Sequence, residues 1–303
     1  MGSILISAFP SCVKEEDKAK LDSQTEQFND DAGKFKEESD QADSDINNSI
    51  NDNGSFGRSA GVMSSPLCGV SIDSSQLAQK ILVYNFDGVT PCFSPSRTRF
   101  GQIKVQLTSG TSWNDAGAVL TLTYINFKIT RLSDNKSITF NGQKTLKNVN
   151  GHNFFGFLAG TSTFKYQSRA FNINVTYNDG SSAIWNRAYM TEWRNAPTAP
   201  HSPIVFTGVG DTTLNGFSTV DTWGTNRYGQ TFTTYYSAAY VSDTYCGLWR
   251  PNSGTLTYHV NNADFTLTLG VDQSGNATTL DCAYGYKVTW TANGSTNNVI
   301  LSY

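Results

Sequence analysis

The sequence predicts an all-β, antiparallel body behind an acidic, weakly hydrophobic N-terminal segment, and three observations carry that expectation. From about residue 75 onward, short β-branched and aromatic runs recur at close intervals, the pattern of strands with one buried face. Between them stand Asp87-Gly88, Asn141-Gly142, Asn150-Gly151, Asp179-Gly180 and Asn293-Gly294, pairs that tolerate the positive φ of tight hairpin turns. Before about residue 60 the composition is Asp, Glu, Asn, Ser, Gln and Lys, and every Glu but Glu192 lies ahead of position 40. Such a stretch buries too little apolar surface to offset the entropy of ordering itself.

The first element is residues 1–12. Ile4-Leu5-Ile6-Ser7-Ala8-Phe9-Pro10-Ser11-Cys12 resembles the end of a bacterial lipoprotein signal, whose cysteine becomes lipidated and N-terminal; Phe9 stands where leucine is usual. Lys14-Glu15-Glu16-Asp17 resembles the charged signal that sends lipoproteins of the Bacteroidetes phylum to the cell surface. The positive n-region and full h-region of a secretory signal peptide are absent, so residues 1–12 read as the remnant of one. The resemblance implies a secreted protein, exposed at the outer membrane, with the membrane as a partner through a lipid on Cys12. Cysteine arithmetic agrees. Five is odd, and setting Cys12 aside leaves Cys68, Cys92, Cys246 and Cys282, which can pair in three ways and persist as disulfides outside the cytoplasm. Cys246 and Cys282, in "TYCGLW" and "LDCAYGY", are expected to lie near each other, with Cys92 the alternative partner for either.

Residues 13–74 read as an acidic spacer. Leu21, Phe28 and Phe35 recur every seven residues and Ala42 keeps the register, but one apolar residue per heptad is too narrow a seam for a stable coiled coil. The expectation is a disordered or weakly helical tether holding the body off the membrane, with a thin amphipathic helix docked on the body or a partner as the alternative. Asp43, Asp45 and Asn47 imitate the start of a calcium loop, yet Asn48 and Gly54 stand where that loop requires glycine and a bidentate glutamate. Gly57-Arg58-Ser59-Ala60-Gly61 matches the G-x-S-x-G nucleophile motif without the strand and helix that must flank it, and it reads as linker.

Residues 75–303 are the β-rich body. Strands are expected at 80–86, 102–108, 119–131, 137–140, 163–177, 183–193, 203–207, 230–236, 255–260, 265–271, 284–290 and 299–303, enough for one large antiparallel sandwich or two packed ones. Arg99-Phe100-Gly101-Gln102 returns as Arg227-Tyr228-Gly229-Gln230, and Leu122-Thr123-Tyr124 returns as Leu256-Thr257-Tyr258; a duplication would divide the body into related units at 75–200 and 201–303. The acidic tether together with "ILVYNFDGVTPC", "RFGQIKV", "WGTNRYGQTF", "CGLW" and "DCAYGYKVTW" resembles a family of uncharacterised β-rich surface lipoproteins of the Bacteroidetes. That resemblance spans most of the chain and brings no activity or functional residues with it.

The chemistry-bearing residues are sparse. A net charge of −3 with 22 scattered basic residues offers no positive face to phosphates, which excludes nucleic acid as a partner. No apolar run approaches the length of a spanning helix. Three histidines (His152, His201, His259) and no C-x-x-C spacing support neither a metal nor a cofactor. Glu192 is the only glutamate in the body, and paired carboxylates for glycoside hydrolysis would have to be completed by Asp221, Asp243 or Asp281; a lone carboxylate reads instead as a solvated group or an arginine's partner. The most informative strand is "AIWNRAYMTEWR". Alternation puts Trp185, Arg187, Tyr189, Thr191 and Trp193 on one face. That stripe packs a core with Arg187 stacked on the rings, or, in an open groove, stacks on sugar. The functional expectation is therefore a surface-tethered module that binds glycan or protein rather than catalyses, with Trp185, Arg187, Tyr189 and Trp193 as glycan contacts; a purely structural envelope protein is the alternative and a glycan-active hydrolase the third. Mass spectrometry of the protein from its native envelope should find an N-terminal, acylated Cys12; an unmodified Cys12 still joined to the preceding residues would overturn the anchor.

Overall fold

In a computed structural model of the chain, residues 15–52, 56, 67–92, 96–151, 163–197, 201, 203–247, 250–261, 263–278, 281–292 and 295–303 are described. Cys12, His152 and the Gly57–Gly61 motif lie outside them. The fold is all-β and antiparallel, with one long helix. The strands are β1 (Val70–Asp73), β2 (Ile81–Asp87), β3 (Arg97–Ser109), β4 (Val119–Arg131), β5 (Ser137–Asn148), β6 (Thr163–Tyr177), β7 (Ser182–Asn195), β8 (Ile204–Gly210), β9 (Thr212–Leu214), β10 (Phe217–Thr225), β11 (Thr231–Asp243), β12 (Ser253–Val260), β13 (Ala263–Val271), β14 (Gly285–Ala292) and β15 (Ser295–Ser302). All belong to one sheet that meanders from β1 to β7, passes to β10 and meanders again to β15; β8 bridges β7 and β11, and β9 flanks β10. Strands on either side of residue 200 pair with each other, β7 with β8 and β10. The two repeated Arg-x-Gly-Gln stretches stand in unlike places, one in the middle of β3 and the other in the β10–β11 turn.

The alternation along β3 to β6 is that of a sheet wet on one face. In β3, Ile103, Val105 and Leu107 are buried while Gln102, Lys104 and Gln106 face outward. A row of irregularities then bends this sheet. Positive φ at Gly101, Asn126, Gly142 and Asn172 coincides with register shifts in β3–β4, β4–β5, β5–β6 and β6–β7. Each bulge bends its strand and sharpens the twist, and because they lie side by side they form a crease. Asparagines from neighbouring strands repair it, Asn141 Oδ1 accepting from Asn126 N (2.8 Å) and Asn186 Oδ1 from Asn172 N (2.8 Å). Gly101 cannot be replaced there, because a Cβ would stand 2.1 Å from the Asn126 carbonyl oxygen.

The folded sheet closes around α1 (Glu15–Asp52), a 38-residue helix. Here the expected spacer is overturned: over Gln27–Ile50 the chain is part of the core. Phe28, Ala32, Phe35, Ala42, Ile46 and Ile50 are buried in the same cluster as the inner faces of β2 to β7, β11 and β12. Phe28 stacks on Trp185 (6.1 Å) and meets Phe232 and Tyr258 at 5.1 and 5.7 Å. Phe35 lies 4.7 Å from Trp185 and 5.7 Å from Phe140. The two flanks of the sheet thus face each other across the helix as two layers of a sandwich do.

A thin apolar seam suffices because both rows of charge beside it are paired with the sheet. Asp31, Glu38 and Asp45 also recur every seven residues, and they meet Arg227 (2.6 Å), Arg97 (2.6 Å) and Arg99. On the opposite flank Lys36 meets Asp221 (2.7 Å), Asp40 meets Arg187 (2.6 Å) and Asp43 meets Lys144 (2.7 Å). The would-be calcium ligands Asp43, Asp45 and Asn47 are spent on Lys144, Arg99 and the Trp113 indole (2.6 Å) along one continuous helix. Elsewhere Cys246 and Cys282 are joined as a disulfide with Cα atoms 5.4 Å apart, tying the β11–β12 connection to the segment before β14; Cys92 is not their partner. Phe35→Ala should cost about 3–5 kcal/mol of stability in urea unfolding, as expected for emptying a buried aromatic site. Deleting residues 15–52 should leave an aggregating chain, where a mere tether would be removed without loss.

Candidate functional site

The site is built where α1 and the β7 stripe part company. Trp185, Arg187, Tyr189, Thr191 and Trp193 do share the inner face of β7, as alternation requires. The helix covers the first of them. Trp185 has no exposed surface, and its indole donates to the Tyr177 hydroxyl at 3.3 Å. Arg187 is 1 % exposed and binds Asp40 through two nitrogens (2.6 and 3.2 Å) and Asp221 through Nε (3.1 Å), with its guanidinium 4.4 Å from the Tyr189 ring. Asp221 also receives Lys36, so a line of alternating charge, Lys36–Asp221–Arg187–Asp40, runs under the helix. These groups hold α1 in register. As direct glycan contacts, Trp185 and Arg187 are withdrawn: the helix occupies the space in which a sugar would have to stand.

Beyond Arg187 the stripe diverges from the helix and a cavity of about 510 Å³ opens between α1 and β6–β8. One wall is aromatic and aliphatic: Leu146, Phe164, Tyr166, Tyr189, Trp193 and Phe206. Trp193 is fixed edge-on against Phe206 at 4.9 Å, and Phe164 against Tyr166 at 4.2 Å. The facing wall is the polar flank of α1, with Glu37, Asp40, Gln41, Asp43, Ser44, Asn47 and Asn48. Asp40 is matched by Arg187 and Asp43 by Lys144, whereas Glu37, half exposed, shares Arg97 (3.4 Å) with the closer Glu38. Asp43 is tied to the sheet. Its Oδ2 takes Lys144 Nζ (2.7 Å) and Ser168 Oγ (3.3 Å), while among the described residues the buried Oδ1 has no hydrogen-bond partner. Burial pushes the Asp43 carboxyl up from the ordinary carboxylate range, against the pull of Lys144. The Oδ1 oxygen is shut off from the cavity as well, and a buried acceptor without a donor costs about 1–3 kcal/mol.

The other candidates fall elsewhere. Glu192 is on the outer face, paired with Lys165 at 2.9 Å, whereas Asp221 is sealed inside, so the sheet separates the two carboxylates. Asp243 caps the turn at Cys246 N (2.8 Å) and holds Asn252 (2.6 Å). Asp281 lies beside His201 at 3.8 Å, and that imidazole stacks on Tyr245. His259 Nδ1 is 2.7 Å from Asp264. Among the described residues no three His, Cys, Asp or Glu side chains converge as a metal site would require, and no helix is long and apolar enough to cross a membrane.

Comparison with protein-family models, curated proteins and solved structures finds no match to this chain. The site therefore stands on its geometry. Sequence reasoning found Tyr189 and Trp193 and missed the helix wall and Phe206. The signal it could have used is the seven-residue row of acids, Asp31, Glu38 and Asp45, running beside the phenylalanine row, which marks a helix with charged partners rather than a solvated tether. Arg187→Ala should destabilise the fold by about 3–5 kcal/mol by stranding Asp221 and Asp40. A double-mutant cycle with Asp40→Ala should return a favourable coupling energy, and Arg187→Lys should not restore it because lysine lacks the two-pronged geometry.

Proposed function

We propose that this chain is an envelope lipoprotein, anchored through Cys12 at the outer surface, whose β-body binds a ligand without transforming it, and that the ligand is a glycan taken into the cavity between α1 and β6–β8. The observation that carries the reading is the opposition of two unlike walls. An aromatic wall stacks on the apolar face of a sugar ring, and a wall of amides, a serine and pre-paired carboxylates answers its hydroxyls. A cationic ligand is disfavoured because Asp40 and Asp43 already have basic partners, and a purely apolar one because it would strip water from the amides and serine of the α1 wall. The contact set is Tyr189 and Trp193 from the β7 stripe, joined by Phe206, Gln41, Asp43, Ser44 and Asn48. Each stacked ring contributes on the order of 1 kcal/mol, so single-site affinity is weak and the surface address matters, since many anchored copies bind together. The burial of Trp185 under Phe28 and Phe35 favours the structural reading for that half of the stripe alone.

The helix also revises how an anchored body is carried. Two residues separate Cys12 from Glu15, where α1 begins. The 13 residue steps from Glu15 to Phe28, at about 1.5 Å each, put the core roughly 20 Å from the start of the helix. A lipid on Cys12 therefore holds the body close to the membrane on a rigid stalk rather than on a long leash.

On a glycan array, Trp193→Ala and Gln41→Ala are expected to lose capture at least several-fold, with far-ultraviolet circular dichroism and urea midpoint close to wild type because neither side chain is in the sealed core. Wild-type capture by both variants would remove the cavity as the site; retention of a protein ligand by an array-negative wild type would replace glycan with protein.

A further inference from the structure

Five cysteines leave one over, and the structure indicates which. Cys246 and Cys282 are joined, while Cys68 and Cys92 stand as thiols. They are not far apart. The β1–β2 ladder ends at Val70 and Phe86, but the pairing continues as Asp87 N donates to the Gly69 carbonyl at 2.9 Å. The Asp87 carboxylate then accepts from Val89 N and Thr90 N, both at 2.9 Å, and from the Thr90 hydroxyl. This folds the chain back toward the start of β1. Gly69 permits the close approach, with φ +62° and space so small that a Cβ would lie 2.6 Å from Asp87 Oδ1. Cys92 is held on its other side by a bridge to Arg97 (Cys92 N to Arg97 O, 2.7 Å), and its buried thiol donates to the Cys68 carbonyl oxygen at 3.7 Å.

We propose that Cys68 and Cys92 are a second disulfide site, closed when the chain meets a disulfide oxidant such as glutathione disulfide. Cys68, half-buried, is the thiol an oxidant can reach; the Cys92 thiol, pushed up to about 11 by burial and by hydrogen bonding to the Cys68 side chain, is a poor first nucleophile and enters only second, through its position against Cys68. The Cys68 thiolate attacks one sulfur of the oxidant and expels one glutathione thiolate. The Cys92 thiolate then attacks the Cys68 sulfur of the mixed disulfide and expels the second. Two protein thiols give up two protons and two electrons, and one glutathione disulfide becomes two thiols. The bond fastens β1, a four-residue edge strand, to the far end of β2 and so secures the first strand after α1. All four body cysteines are then paired, and Cys12 is the one left for a lipid. This proposal is independent of the ligand cavity.

The test equilibrates the full chain in glutathione buffers of increasing oxidising strength, traps free thiols with iodoacetamide and maps the peptides without reduction. At the poise where the Cys246–Cys282 peptide is fully linked, a Cys68–Cys92 linked peptide is expected. In the Cys246→Ser/Cys282→Ser variant, oxidation should still remove two reactive thiols, and adding Cys68→Ser should leave Cys92 alkylated. Cys68 and Cys92 both alkylated while Cys246–Cys282 is complete, or either of them linked to another cysteine, would overturn the proposal.

Discussion

The structure depends on one constraint, the need to cover the concave face of a creased sheet with a helix that carries only one large apolar residue per heptad. Phe28 and Phe35 supply the fit against Trp185, Phe140, Phe232 and Tyr258. They could not bury α1 alone. A helix that polar loses more by desolvating its carboxylates than two phenylalanines return, unless each charge finds a partner. The sheet provides them from Arg97, Arg99, Lys144, Arg187, Asp221 and Arg227. Burial still strains the arrangement, and the carboxyls of Asp31 and Glu38 are pushed up by desolvation despite their arginines. Pairs of this kind add little net stability, but they allow only one rotation and one register of the helix.

That register sets where the cavity lies. The seam meets the sheet at Trp185, and the charge line Lys36–Asp221–Arg187–Asp40 pins the next turn. The polar flank beyond, from Gln41 to Asn48, then faces a part of the sheet that continues outward through Tyr189, Trp193 and Phe206. The space between is a by-product of a straight helix inside a curved sheet. Its two walls differ because one belongs to the sheet's apolar inner face and the other to the solvated side of the helix. The crease through Gly101, Asn126, Gly142 and Asn172 is the other half of the cause, since an unbent sheet would not bring β3 and β7 to opposite sides of one helix.

Much of the sheet was legible. The strands carrying β-branched and aromatic alternation, from β2 through β8 and β11 through β15, were found, and the Asp179-Gly180 turn joins β6 to β7 as expected; Asn141-Gly142, expected as a turn, is instead a bulge inside β5, which runs on to Asn148, and Asn293-Gly294 lies outside the described residues. β1, β9 and β10 were not, and the reason differs from case to case. β1 and β9 are too short for alternation to show. β10 buries Val220, Asp221 and Thr222 in succession, so its pattern is set by an ion pair with the helix and a register shift rather than by a period of two. For the candidate site, the shared face of Trp185, Arg187, Tyr189 and Trp193 was readable from alternation alone. Which pair would be covered and which would line a cavity was not, because that depends on an element more than 130 residues away in the chain.

By itself the sequence determined the antiparallel class and the face each β7 side chain takes, since both follow from local conformational preference and from the two-residue period of a strand. Only the tertiary structure decided that an acidic segment is core rather than tether. The free energy of burying a charge is not a property of the residue that carries it: the seven-residue row of Asp31, Glu38 and Asp45 marks a charged helix face, but which partners meet it, Arg227, Arg97 and Arg99 from the β10–β11 turn and β3, is decided by the fold.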